Sequence, residues 1–303
     1  MKYTIEQSDN GTRVLTRCEG DFVKELPYLL TKVDAIGPRC VDGFSGLKEV
    51  VIPKHIKYIG EYAFGCCGIE KVVFENDAIK IDRGAFSNNK ITEIDLPAKG
   101  MIYPNAFSYN KIEHLFIPKN CTLVNSAFRE MPHLKSVEIE EGFNGVTSEM
   151  FVMCQSLQQV KLPSSIKNIG EQMFANCKSL QSIEIPEGVE SIGDYAFGGC
   201  IELKQVKLPT TLRNIDSEAF MHCKGIKSIT IPKGCEFNPD AIEHGVKINV
   251  VDYKEQRIIK NLIDFFSKTT TINDLNSEEV VDWLQKYEVK DSCEEIQEET
   301  LNQ

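Results

Sequence analysis

"IGEYAFGCCG" occupies Ile59–Gly68, and "IGDYAFGGC" occupies Ile192–Cys200. Two nearly identical phrases this far apart in one chain point to an internal repeat. The Ala-Phe pair at the centre recurs at Ala63-Phe64, Ala85-Phe86, Ala106-Phe107, Ala127-Phe128, Ala196-Phe197 and Ala219-Phe220. Degenerate copies stand at Met150-Phe151, Met173-Phe174 and Ala241-Ile242. Successive phenylalanines from Phe64 to Phe220 lie 22, 21, 21, 23, 23, 23 and 23 residues apart. A nearly fixed period of this length is the signature of a solenoid, in which each unit buries its apolar face only against its neighbours.

Each copy has a first half as well: Leu47-x-x-Val50-x-Ile52-Pro53, Leu157-x-x-Val160-x-Leu162-Pro163, Leu180-x-x-Ile183-x-Ile185-Pro186, and Leu203, Val206, Leu208 and Pro209. The V-x-I alternation has period two and predicts a short strand with one buried face. Proline cannot donate to a ladder and ends it. The Ala-Phe segment lacks that period and predicts a short helical turn or 3₁₀ piece. Stacking about ten coils at one strand spacing, about 4.8 Å, predicts a curved rod with one parallel sheet.

The combined layout, L-x-x-V-x-I-P then I-G-x-x-A-F-x-x-C, resembles the BspA-type leucine-rich repeat over about Val33 to Ile242. The resemblance implies an α/β leucine-rich-repeat solenoid that binds other macromolecules, with varied partners and no chemistry of its own. It also implies a surface or secreted location, since such proteins are often exported. The opening MKYTIEQSDN has no apolar h-region, and no run of 18 apolar residues follows, which predicts a cytoplasmic chain without a membrane span.

Residues 1–22 are expected to form an N-terminal β-hairpin cap, because Tyr3-Thr4-Ile5 and Arg13-Val14-Leu15 flank the turn-forming Asn10-Gly11. Residues 23–252 are the solenoid, opened by a half copy at Ile36-Gly37 without an Ala-Phe pair. Residues 253–303 are expected to be a helical cap and acidic tail. Its two amphipathic helices cover Tyr253–Lys268 and Ser277–Tyr287, and Trp283 is a possible partner anchor. Ile272–Gln303 holds ten acids against two bases, so most of the net charge of −11 lies there. That balance disfavours nucleic acid, whose phosphates need a basic surface.

Eleven cysteines are present, and Cys67, Cys154, Cys177, Cys200 and Cys223 fall three residues after the repeat phenylalanine. Asn89, Asn110 and Met131 fill that column elsewhere. Such an exchange suits a small, buried, weakly polar site and predicts reduced, metal-free thiols. No phosphate loop, HExxH or Cys-x-x-Cys motif occurs, and the five histidines fall in different columns. No cofactor, metal site or catalytic residue is expected.

Function is then expected in the outward columns of the V-x-I strand. From Glu138 to Lys207 they alternate in charge and satisfy one another. The N-terminal half instead presents Val51, Val73 and Phe116 among Glu49, Lys71, Glu93, Asp95 and His114. An outward aromatic within mixed charge predicts a protein-binding patch with Phe116 as anchor. A self-association surface, and an exported adhesin binding extracellular matrix or glycan, are the alternatives.

Overall fold

The computed structural model describes residues 2–20, 24–145 and 147–254. The chain divides into two compact units, Met1–Val250 and Val251–Gln303. The first is a solenoid with two strand faces. The V-x-I face carries Glu49–Ile52 paired with Lys71–Phe74, then His114–Ile117, Ser136–Ile139 and Gln159–Lys161 as a triplet. Ser182–Glu184 with Gln205–Lys207, and Ser228–Pro232 with Lys247–Val251, continue it. Burial alternates as the sequence period requires; along Glu49–Ile52 it runs exposed, buried, exposed, buried.

A second face arises from the residues just before the Ile-Gly position. Ala35–Ile36, Tyr58–Ile59, Lys80–Ile81, Met101–Ile102 and Thr122–Leu123 form one parallel ladder. Asn168–Ile169, Ser191–Ile192, Asn214–Ile215 and Glu236–Phe237 form another. The expected single parallel sheet is therefore several sheets on two faces. Proline ends the first strand, the chain turns, and the next apolar pair starts its own ladder. Glycine is required where coils touch backbone to backbone: a Cβ on Gly60 would lie 2.5 Å from Pro38 N, and one on Gly193 2.7 Å from Glu171 N.

The Ala-Phe segment is not helical. The residue before the pair (Tyr62, Asn105, Glu149, Gln172, Tyr195) and the residue two after the Phe (Cys66, Asn88, Tyr109, Met153, Asn176) all take φ between 51° and 63°. Each such residue costs about 1–2 kcal/mol of steric strain. In exchange, every second N–H faces the next coil: Phe64 donates to Ala85 O, Phe174 to Ala196 O and Phe197 to Ala219 O, each at 2.8 Å. The alternate N–H groups close turns within the coil, as Ala63 does to Gly60 O. A helix would spend all these donors internally and leave the stack without its third set of rungs. Among the described residues the helical element is α1 (Leu26–Leu30). The fold is accordingly a β-solenoid and not the expected α/β one.

At the N-terminus, β1 (Lys2–Gln7) and β2 (Arg13–Glu19) form an antiparallel hairpin. The second strand pairs in parallel with Ala35–Ile36, so the ladder starts inside residues 1–22. The coil at Ile36-Gly37 is also complete. Cys40-Val41 occupies the Ala-Phe columns, since Val41 N–H reaches Ala63 O and Arg39 takes the positive φ that Tyr62 has one coil on. The helices expected beyond Lys254, with Trp283, lie outside the described residues.

The core is a file of rings. Phe64, Phe86, Phe107, Phe128, Phe151, Phe174, Phe197 and Phe220 are fully buried, and neighbours stack in parallel at 5.2–6.4 Å between centroids. The column three residues later has a specific task. Cys154, Cys177, Cys200 and Cys223 donate to the carbonyls of Phe128, Phe151, Phe174 and Phe197, one coil earlier. Cys67 does the same to Val41. Asn89 and Asn110 donate to Phe64 O and Phe86 O, and their Oδ1 atoms accept from the N–H groups of Ile69 and Ile91. Asparagine replaces cysteine where an N–H also needs a partner. Asn110→Met, which copies the Met131 of that column, should cost about 1–3 kcal/mol by orphaning the Ile91 N–H. Chemical denaturation measures it.

Burial pushes the Cys154 and Cys223 thiols up to about 12, and those of Cys177 and Cys200 well above the ordinary 9.0. Alkylation at pH 8 should leave all four unmodified in the folded chain and label all four once it is denatured. Unfolded thiols lose protons near 9.0 while folded ones keep theirs to about 12, so their contribution is complete below pH 9 and is lost as pH rises toward 12. Melting curves across that window should show a falling midpoint.

Candidate partner-binding surface

At one coil the V-x-I face forms no strand. Thr92–Pro97 adds only a single bridge, Glu93 with Lys71, where the neighbouring coils add strands. Hollows flank this coil. The larger, of about 720 Å³, has Phe116 and His114 with Glu93 and Asp95 on one side, and Ser136, Glu138, Gln159 and Lys161 on the other. The smaller, of about 240 Å³, is lined by Lys71 and Val73 and shares Glu93 and Asp95.

The larger hollow coincides with a fault in the turn ladder. The rule elsewhere sends the N–H two after the Phe to the carbonyl one after the next Phe, as Asn88 does to Ser108. Ser108 Oγ instead captures Arg129 O at 2.5 Å. Tyr109 N–H then slips one residue to Glu130 O, and Asn105 N–H slips to Ser126 O. Met131 fills the donor column here and has no donor for Phe107 O. The ring file is widest at this point, 6.4 Å for Phe107–Phe128 and 6.1 Å for Phe128–Phe151, against 5.2 Å at either end.

Of the residues expected at the site, the structure brings Glu93, Asp95, His114 and Phe116 together. Phe116 is 49% exposed and pairs in register with Glu138. His114 Nδ1 is hydrogen-bonded to Ser136 Oγ at 2.7 Å. Glu93 and Asp95 side chains have no hydrogen-bond or ion-pair partner among the described residues. Lys71 and Val73 sit in the adjoining hollow; Val73 is in register with the exposed Val51 and is itself half-buried. Glu49 and Val51 line neither hollow, although Val51 is 43% exposed. Glu49 is neutralised by Lys71 at 2.9 Å.

The outward charges of the C-terminal half pair off as expected, Lys161 with Glu138 at 2.6 Å and Lys207 with Glu184. Ser136, Glu138, Gln159 and Lys161 belong to the larger hollow and were missed. The available signal was the change of coil length from 21 to 23 residues between Phe107–Phe128 and Phe128–Phe151.

No group of three or more His, Cys, Asp or Glu is placed to hold a metal among the described residues, and no helix there is long and apolar enough to cross a membrane. The family model for the BspA type leucine rich repeat region matches residues 26–127 and 122–249, in six copies. Among solved structures, a leucine-rich repeat protein from Bacteroides ovatus is 26% identical, with a TM-score of 0.46, over 73% of this chain and 70% of its own. The pneumococcal vaccine antigen PcpA is 20% identical, with a TM-score of 0.50, over 76% of this chain and 69% of its own. A leucine rich cell surface protein from Faecalibacterium prausnitzii is 18% identical, with a TM-score of 0.42, over 84% of this chain and 94% of its own. A search of curated proteins gave no match.

Proposed function

This chain belongs to the BspA-type leucine-rich repeat family, and from that premise we propose that it is a non-enzymatic scaffold that binds a protein partner in the hollow around Phe116. The observation that carries the reading is a half-exposed aromatic ring beside two acids that have no partner among the described residues, next to the coil that forms no strand. Elsewhere on the V-x-I face outward charges pair, as Lys207 does with Glu184, and within the hollow Lys161 holds Glu138 and Ser136 holds His114. Glu93 and Asp95 are the acids left without a partner there among the described residues. An incoming apolar side chain would cover the ring, and a lysine or arginine beside it would meet Asp95 or Glu93 and the ring face, worth about 0.5–1 kcal/mol at an exposed site.

The partner is therefore a protein segment carrying a cation next to an apolar residue. Selection from a displayed random-peptide library on the full chain tests this. Enriched peptides should contain lysine or arginine beside an apolar residue and should lose binding to Phe116→Ser. Enrichment of acidic peptides, or peptides indifferent to Phe116, would overturn the reading.

A further inference from the structure

The cysteines of the repeat column each have a carbonyl to donate to, one coil back. Cys18 and Cys40 differ. Cys18 lies at the end of β2, and Cys40 lies one coil further, in the column that holds Ala63 and Ala85 in the next coils. Their sulfurs face each other at 3.8 Å, and each is the other's hydrogen-bond partner. Both are buried, at 7% and 3% exposure. The two backbones belong to adjacent stacked coils, since Val14 pairs with Ala35 and Leu15 with Ile36 just before them. Strands paired this way sit about 4.8 Å apart, inside the Cα separation that a disulfide spans.

We propose that Cys18 and Cys40 are a disulfide-forming pair that locks the N-terminal hairpin onto the first coil when the chain meets an oxidising small-molecule disulfide. The hairpin is otherwise held there by the two-residue pairing of β2 with Ala35–Ile36, by Leu15 buried in the core with Ile5 packed against it, and by the ion pair of Arg13 with Asp34. It is the open end of the ladder, where coil-to-coil contact is missing on one side. A covalent link at this place removes the cheapest opening motion of the stack.

The chemistry balances with glutathione disulfide as oxidant. The hydrogen bond from Cys40 favours the Cys18 thiolate, while that same bond, with burial added to it, keeps the proton on Cys40. Cys18 sulfur attacks one sulfur of the oxidant, its S–S bond breaks, and one glutathione thiolate leaves. Cys40 then yields its proton, attacks Cys18 sulfur and expels the second glutathione. Two electrons pass to the oxidant, which departs as two thiols carrying the two protons.

The test uses the full chain, fully reduced and then incubated with glutathione disulfide. Non-reducing peptide mapping should recover one cross-linked pair, Cys18 with Cys40, lighter by about 2 Da for the two hydrogens lost. Amide exchange in Lys2–Gln7 and Arg13–Glu19 should slow by about tenfold or more in the oxidised form. In Cys18→Ser it should be unchanged by the oxidant. Should that variant not fold, the oxidised and reduced wild-type chains still give the comparison. The proposal is overturned if Cys18 and Cys40 stay free while the exposed Cys66 takes up glutathione, if another pair cross-links, or if the link forms and hairpin exchange does not change.

Discussion

Replacing Phe197 with alanine is expected to lower the unfolding free energy by about 3–5 kcal/mol, the range for emptying a buried phenylalanine site. The ring is fully buried and stacks on Phe174 at 5.4 Å and Phe220 at 5.2 Å. Removing it therefore breaks the file on both sides. The surrounding wall cannot collapse inward, because Gly193 already touches the backbone of the preceding coil and Phe197 N–H is tied to Ala219 O. A solenoid coil contacts only its neighbours, so the loss of amide-exchange protection should concentrate between about residues 170 and 220. Hydrogen exchange followed by mass spectrometry reads this directly. A uniform loss from β1 to Phe237 would mean that the stack unfolds as one unit and that nearest-neighbour coupling is the wrong description.

What could be read from the sequence was whatever repeats. The Ala-Phe spacing gave the coil period, and the V-x-I alternation gave one strand face with the correct inward residues, from Val50 and Ile52 to Ile229 and Ile231. The second face escaped because its rungs are two residues long, too short for any period to show. The Ala-Phe segment misled for a physical reason. Its strands of hydrogen bonds run between coils through residues such as Tyr62 and Gln172 at positive φ, and no side chain there announces the conformation. The cysteine column was placed correctly as buried. Its role as donor to the preceding phenylalanine carbonyl depends on where that carbonyl points, and this emerges only in three dimensions.

The candidate surface was legible in part for a related reason. Phe116, His114, Glu93 and Asp95 stood out as departures from the column rule, and departures cluster at functional or strained places. The far wall did not stand out, because Ser136, Glu138, Gln159 and Lys161 obey the rule. They line the hollow because their strands stack in register after His114–Ile117, so their outward side chains fall beside Phe116. That neighbourhood depends on which coil forms a strand and which, like Thr92–Pro97, does not.

Phe116→Ser should weaken partner binding by about 2–4 kcal/mol, the scale of an aromatic hot spot, while changing stability by less than about 1 kcal/mol. Serine is the better probe than aspartate. An aspartate at 116 would stand in register with Glu138 and close to Asp95, and facing like charges destabilise a strand pair by themselves. With serine the charge of the hollow is unchanged and the ring alone is lost. The ring is half outside the core, so its removal opens no cavity. Lys161→Gln is the matched comparison: it frees Glu138 from its 2.6 Å bond and adds a third acid without a partner to the same hollow. A partner that presents a cation should then bind as well or more tightly, with a steeper dependence on salt. Binding isotherms of a selected peptide to the wild type and both variants, alongside melting curves, separate the outcomes. Loss with Phe116→Ser and gain with Lys161→Gln fits a cation and an apolar group docking together. Loss with Lys161→Gln would mean that Lys161 contacts the partner and that the ligand is acidic. Unfolding of Phe116→Ser would mean that the ring holds the coil in place and that the hollow is a packing fault without a partner.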